Sequence, residues 1–149
     1  SFHRVMDDKN KSINDKDVKR LVICSGKVFY DLFEAREKNK LFNIKILRLE
    51  QIYPFPIKSL QEFISKSHQA EIIWCQEEPE NMGSWSFIDR RLEKVLIDCN
   101  CKYKRPVYVG RPEAASPATG TMSRHLKEQK KLVNQALGLE KINTASAAE

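Results

Sequence analysis

Residues 72–85 read IIWCQEEPENMGSW. An apolar run, Ile72-Ile73-Trp74-Cys75, gives way to two adjacent carboxylates, Glu77 and Glu78. Pro79, a polar loop and Gly83 follow, and a new apolar pattern opens at Trp85. A short apolar run without polar alternation marks a strand covered on both faces. The segment beyond it has a different period. Trp85, Ile88, Leu92, Val95 and Leu96 recur every three to four residues, as they do on one face of a helix. A doubly covered strand followed by an amphipathic helix is one unit of an α/β fold.

The same unit repeats on either side. Upstream, Arg20–Cys24 (RLVIC) reads as a strand and Ser25-Gly26 as its turn. Val28, Phe29, Leu32, Phe33 and Ala35 then take helical spacing until Asn39. Ile44–Leu49 (IKILRL) is the next strand. QIYPFP follows, and its two prolines exclude an ordinary helix or central strand. A helix bearing Leu60, Phe63 and Ile64 leads into the quoted stretch. Downstream, Pro106–Gly110 (PVYVG) is a strand and RPEAASPATG a loop. The last helix carries Met122, His125, Leu126, Gln129, Leu132, Val133, Ala136 and Leu137, with Gly138 as its cap. The expected fold is a three-layer α/β domain with a mostly parallel sheet of about five strands and helices on both faces. It spans residues 19–138. Residues 1–18 read as a polar arm or linker whose Phe2 and Val5 dock on a partner surface, and 139–149 as a flexible tail.

Bulk properties narrow the classes. The 149 residues are 41% hydrophobic and 31% charged, enough for one domain with a core. The net charge of +6 is spread along the chain, which fits a lysine-rich solvated surface better than a nucleic-acid stripe. No apolar stretch approaches the ~20 residues of a membrane span. Cys24 and Cys75 sit in apolar runs as core thiols, and Cys99-x-Cys101 lacks a second pair, so no metal site is expected. A reducing compartment fits this cysteine usage. No signal peptide is visible, and a start at Ser-Phe-His is expected of a processed or excised piece.

In parallel sheets, functional loops follow the carboxyl ends of the strands. Four loops qualify: Ser25-Gly26-Lys27, Glu50–Pro56, Gln76–Ser84 and Arg111–Gly120. Ser-Gly-Lys is not a P-loop, because Leu21 and Val28 stand where glycine and Ser/Thr are needed. A helix starting at Lys27 still offers free N–H groups, and Arg48 and Arg111 end neighbouring strands. Ser25, Gly26, Lys27, Arg48 and Arg111 therefore form a candidate anion site. The competing reading pairs these cations with Glu50, Glu77 or Glu78. Adjacent carboxylates in an extended segment point to opposite sides, so Glu77 and Glu78 are not a shared-proton pair. They read, with Gly83, Trp85, Arg111, Ser116 and His125, as a structural corner and interface set. Ser116 lacks a nucleophile-elbow context, and His125 lies on an apolar helix face. No catalytic residue is expected in this chain.

Five segments in order, KRLVICSGKVFYDL, LRLEQIYPFP, IIWCQEEPENMGSW, YVGRPEAASPATG and the H-x-x-E-Q…LVNQAL helix, together resemble the C-terminal domain of the decarboxylating first component of 2-oxoglutarate dehydrogenases. Met82 and Ser84 stand where that family suggests Gln and Ala, a mild departure. The resemblance implies a transketolase-like, thiamine-diphosphate-dependent enzyme. Its cofactor and magnesium would be bound by upstream domains and not by this fragment alone. It implies a homodimer that passes succinyl groups to a dihydrolipoyl succinyltransferase. The compartment would be the cytoplasm in a bacterium, or the mitochondrial matrix in a eukaryote. The alternative is a regulatory nucleotide or coenzyme A module of the same enzyme.

Overall fold

A computed structural model describes residues 4–112 and 121–142. The chain builds a sheet from β1 (Val5–Met6), β2 (Arg20–Cys24), β3 (Ile44–Leu49), β4 (Glu71–Pro79) and β5 (Val107–Arg111). Four helices connect or follow them: α1 (Val28–Lys38), α2 (Ile57–Ser65), α3 (Trp85–Asp98) and α4 (Met122–Ala136). The strand order is β1-β3-β2-β4-β5, with β1 antiparallel to β3 and the other pairs parallel. This is the three-layer α/β architecture expected from the periodicity.

Alternation along each strand sorts the core into two layers. Leu21, Ile23, Leu47, Leu49, Ile72 and Trp74 face α2 and α3, meeting Leu60, Ile64, Ile88, Leu92 and Leu96. Val22, Cys24, Ile44, Ile46, Ile73 and Cys75 face α1 and α4, meeting Phe29, Leu32, Leu132, Val133 and Ala136. Burial pushes the Cys24 thiol up to about 12 and Cys75 well above its ordinary value, so both are inert packing groups.

Helix ends follow local chemistry. The Thr121 hydroxyl accepts from the Arg124 amide at 3.1 Å and starts α4. Gly138, at φ 74°, turns the chain out of it. There the Arg20 guanidinium donates to the carbonyls of Gln135 and Ala136, placing a cation at the negative helix end.

Two expectations need correction. The strand read as Ile72–Cys75 runs on to Pro79, through both carboxylates. β5 keeps pairing past a bulge, so Cys75 opposes Val109 while Pro79 opposes Arg111. The opening segment is also more than an arm. Val5 and Met6 pair with Leu49 and Arg48, and Val5 packs into this chain's own core rather than onto a partner. Asp8 then takes over as the edge partner of β3. Its Oδ2 accepts from the Ile46 amide at 2.7 Å, and both oxygens grip Arg36 at 2.7 Å. A polar, aperiodic stretch gives no hint of this, because the partner lies 28 residues away. Phe2 lies outside the described residues.

Candidate functional site

The carboxyl ends of β2 to β5 form one rim. Helices α1 and α3 leave the neighbouring strands β2 and β4 for opposite faces, which opens a crevice between those strands at the topological switch point. Gly26, at φ 82°, makes the turn into α1. Next to it, Lys27 Nζ reaches across the crevice to Glu77 Oε2 at 3.0 Å.

The rim carries the predicted cations in strand order: Arg48 on β3, Lys27 after β2, Arg111 on β5. Each meets a carboxylate. Arg48 lies over the rings of Phe29 and Tyr30, 5.4 and 5.3 Å from their centroids, and donates to the Tyr30 hydroxyl at 3.3 Å. That bond, offset in part by burial, holds its pKa above the ordinary value, with Glu50 adding to it. Arg48 Nε stands 3.4 Å from Glu50 Oε2 but makes no hydrogen bond. Arg111 shares Glu77 with Lys27, taking its backbone carbonyl while Lys27 takes its carboxylate. Its other terminal nitrogen donates to His125 Nδ1 at 3.3 Å and to Gln129 Oε1 at 3.2 Å. Gln129 passes the network on to Asp31 of α1 at 2.8 Å. Arg111 Nε lies 3.6 Å from Glu128 Oε1, and both atoms are buried without a hydrogen-bond partner. Arg111 and His125 are thus brought together. Glu78 faces solvent, Ser25 sits half-buried in its turn, and Ser116 lies outside the described residues.

The corner between β4 and α3 is organised by Gln76, a residue the sequence marks only as the first of a loop. Its side chain is 3% exposed and fully bonded. Oε1 accepts from Trp74 Nε1 at 2.9 Å and from the Trp85 amide at 3.1 Å, the first turn of α3. Nε2 donates to the carbonyls of Glu78, Pro79 and Met82. A neutral amide thus does what an acidic cap would do at the start of α3, and it can also donate, which a carboxylate cannot. The Tyr108 hydroxyl closes the other side on the Glu78 and Arg111 carbonyls. Burial pushes its pKa well above 10, so it stays protonated as a donor. Two glycines make room. A Cβ on Gly110 would press on the Tyr108 hydroxyl and come within 2.7 Å of the Gln76 carbonyl. Gly83, at φ 68°, lies under the Gln76 amide and the Glu78 side chain. The available sequence signal was a polar residue two positions beyond one tryptophan and nine before the next.

Among the described residues, no group of three or more His, Cys, Asp or Glu is placed to hold a metal ion. No described helix is long and apolar enough to cross a membrane. The rim is chemically a set of paired charges and a saturated corner. It orders backbone and presents side chains outward.

Comparisons with known proteins agree on one family. Residues 1–137 match the family described as 2-oxoglutarate dehydrogenase C-terminal. The chain is 51% identical over 146 residues to a 2-oxoglutarate dehydrogenase E1 component of Brucella abortus (strain S19), covering 93% of this chain and 14% of that protein. It is 49% identical to the E1 components of Brucella anthropi and Brucella ovis, covering 93% of this chain and 15% and 14% of those proteins. The chain therefore spans about one-seventh of the length of the curated relatives it matches.

Proposed function

The chain belongs to the 2-oxoglutarate dehydrogenase C-terminal family, and on that premise we propose that it serves as the assembly domain of an E1 component. In this reading it supports domain packing and the homodimer of an enzyme that oxidatively decarboxylates 2-oxoglutarate. The enzyme then hands the succinyl group to a dihydrolipoyl succinyltransferase. The observation that carries the reading is the 51% identity along 93% of a chain that fills only 14% of its relative. The rim supports it. Its charges are spent on one another and on backbone carbonyls, the pattern of an ordered surface rather than of groups poised to react.

In this reading thiamine diphosphate and magnesium are held by the remainder of the enzyme. Among the described residues no group of three or more His, Cys, Asp or Glu is placed to hold the magnesium ion. The direct test is the full-length enzyme truncated just before this domain. It should lose both its dimer mass in sedimentation and its 2-oxoglutarate decarboxylation. A truncated enzyme that keeps both overturns the proposal.

A second reading places a regulatory nucleotide or coenzyme A on Lys27, Arg48 and Arg111. It is favoured by an Arg48 Nε that makes no hydrogen bond and by a Lys27 side chain that is 78% exposed at the switch point. Titration of AMP and acetyl-coenzyme A into the full enzyme, with and without Lys27→Ala, decides it. An unchanged response in the variant removes it.

A further inference from the structure

Among the described residues, Tyr53 is the large apolar side chain most exposed to solvent, at 80%. It is nevertheless held in place. Its ring meets Phe87 edge-on, with centroids 5.9 Å apart and planes at 63°. Arg91 covers Phe87 from a second direction, its guanidinium carbon 3.7 Å from the ring centroid, and donates to the Phe87 carbonyl at 2.7 Å. Phe87 is itself packed on the core, as are Ile52 and Phe55 on either side of Tyr53. The Gln51 amide closes the loop on the Pro54 carbonyl at 2.9 Å. Ile57, also exposed, opens α2 directly after it.

A tyrosine on a braced loop and an arginine on the adjoining helix α3 are side chains of the kind that carry binding energy in protein interfaces. Their ordering cost has already been met within the domain, so a partner gains the contact without freezing a mobile loop. We propose that Tyr53, braced by Phe87 and Arg91, is the anchor by which this domain docks on the rest of its own polypeptide. The inference rests on the E1 assembly reading. Size selects the occupant. An aromatic side chain buries ~150–250 Å², while an interface between free partners needs about 800 Å² on each side. A patch of this size suffices for a tethered neighbour, which is present at high effective concentration. The relatives are about seven times longer than this chain, so such a neighbour is at hand.

The test uses the full-length E1 enzyme and hydroxyl-radical footprinting. Labelling of Tyr53 should be lost in the native protein and restored in urea. That protection should be unchanged by dilution and by omission of the succinyltransferase. Native labelling as fast as in urea overturns the proposal. Protection that fades on dilution, or that needs added succinyltransferase, also overturns it by assigning the patch to a second copy or a second protein. In parallel, Tyr53→Ala should speed tryptic release of the domain at least about tenfold, the factor of a modest interface hot spot, whereas Tyr53→Phe should not. A full-length protein that fails to decarboxylate 2-oxoglutarate would count against the E1 reading and leave the footprint standing.

Discussion

Arg36 and Arg111 are both buried arginines, and their surroundings are opposites. Arg36 is 0% exposed and Asp8 is 2% exposed. The pair is bidentate at 2.7 Å, and the Ile44 carbonyl and Glu37 accept two more of its five N–H donors. Burial works to lower the Arg36 pKa, but Asp8 and Glu37 outweigh it and hold it above its ordinary value. Arg111 is nearly as deep, yet its hydrogen bonds go to a carbonyl, an imidazole and an amide, and its one carboxylate, Glu128, stands 3.6 Å from Nε without a hydrogen bond. A buried charge is tolerated when its own fold saturates it. The sealed arginine therefore belongs to the domain's interior. The open one lies at the rim, where the proposed assembly role would place a neighbour.

The sharpest way to break this contrast is Asp8→Ala. It leaves Arg36 buried with only the partly exposed Glu37 as counter-charge, and should cost about 3 kcal/mol in urea denaturation at unchanged m. It also frees the edge of β3, so the Ile46 amide should lose its hydrogen-exchange protection. Arg111→Gln should cost less, about 1–2 kcal/mol, because Gln129 and His125 can turn to solvent. A loss equal to that of Asp8→Ala would show that Arg111 is sealed after all.

The smallest effect lies in acid. Burial works to raise the Asp7 carboxyl, but the Asp8 amide and Lys45 outweigh it and hold it below 3.8. A depressed carboxyl lends stability that is complete above 3.8 and is lost as pH falls through its folded value. Asp7 is partly exposed, so screening limits this to a few tenths of a kcal/mol. Asp7→Asn should flatten the pH dependence of the denaturation midpoint below 3.8, while Arg111→Gln leaves that slope unchanged.

Much of the rim was legible. Lys27, Arg48, Glu77 and Arg111 fall at strand ends, and strand ends in a parallel sheet share one edge. The pairing of Lys27 with Glu77 and of Arg48 with Glu50 was one of the two readings the charges allowed. Gln76 was not legible as an organiser. A glutamine's donors and acceptors go wherever the chain returns to meet them, and here its contacts depend on how β4 bulges against β5. Arg36 had a faint signal. It stands four residues after Leu32 on the buried stripe of α1, where a charge demands a partner. Nothing local identified that partner as Asp8.

The order of apolar residues by itself determined the alternation of strands and helices and which side chains enter which layer, since the periods of 2 and 3.6 are properties of the local backbone. Tertiary structure alone decided the order β1-β3-β2-β4-β5, the enlistment of residues 5–8 as an edge, and the sealing of Arg36. Those depend on contacts between groups far apart in the chain, whose free energy appears only once the sheet has brought them within a few ångströms of each other.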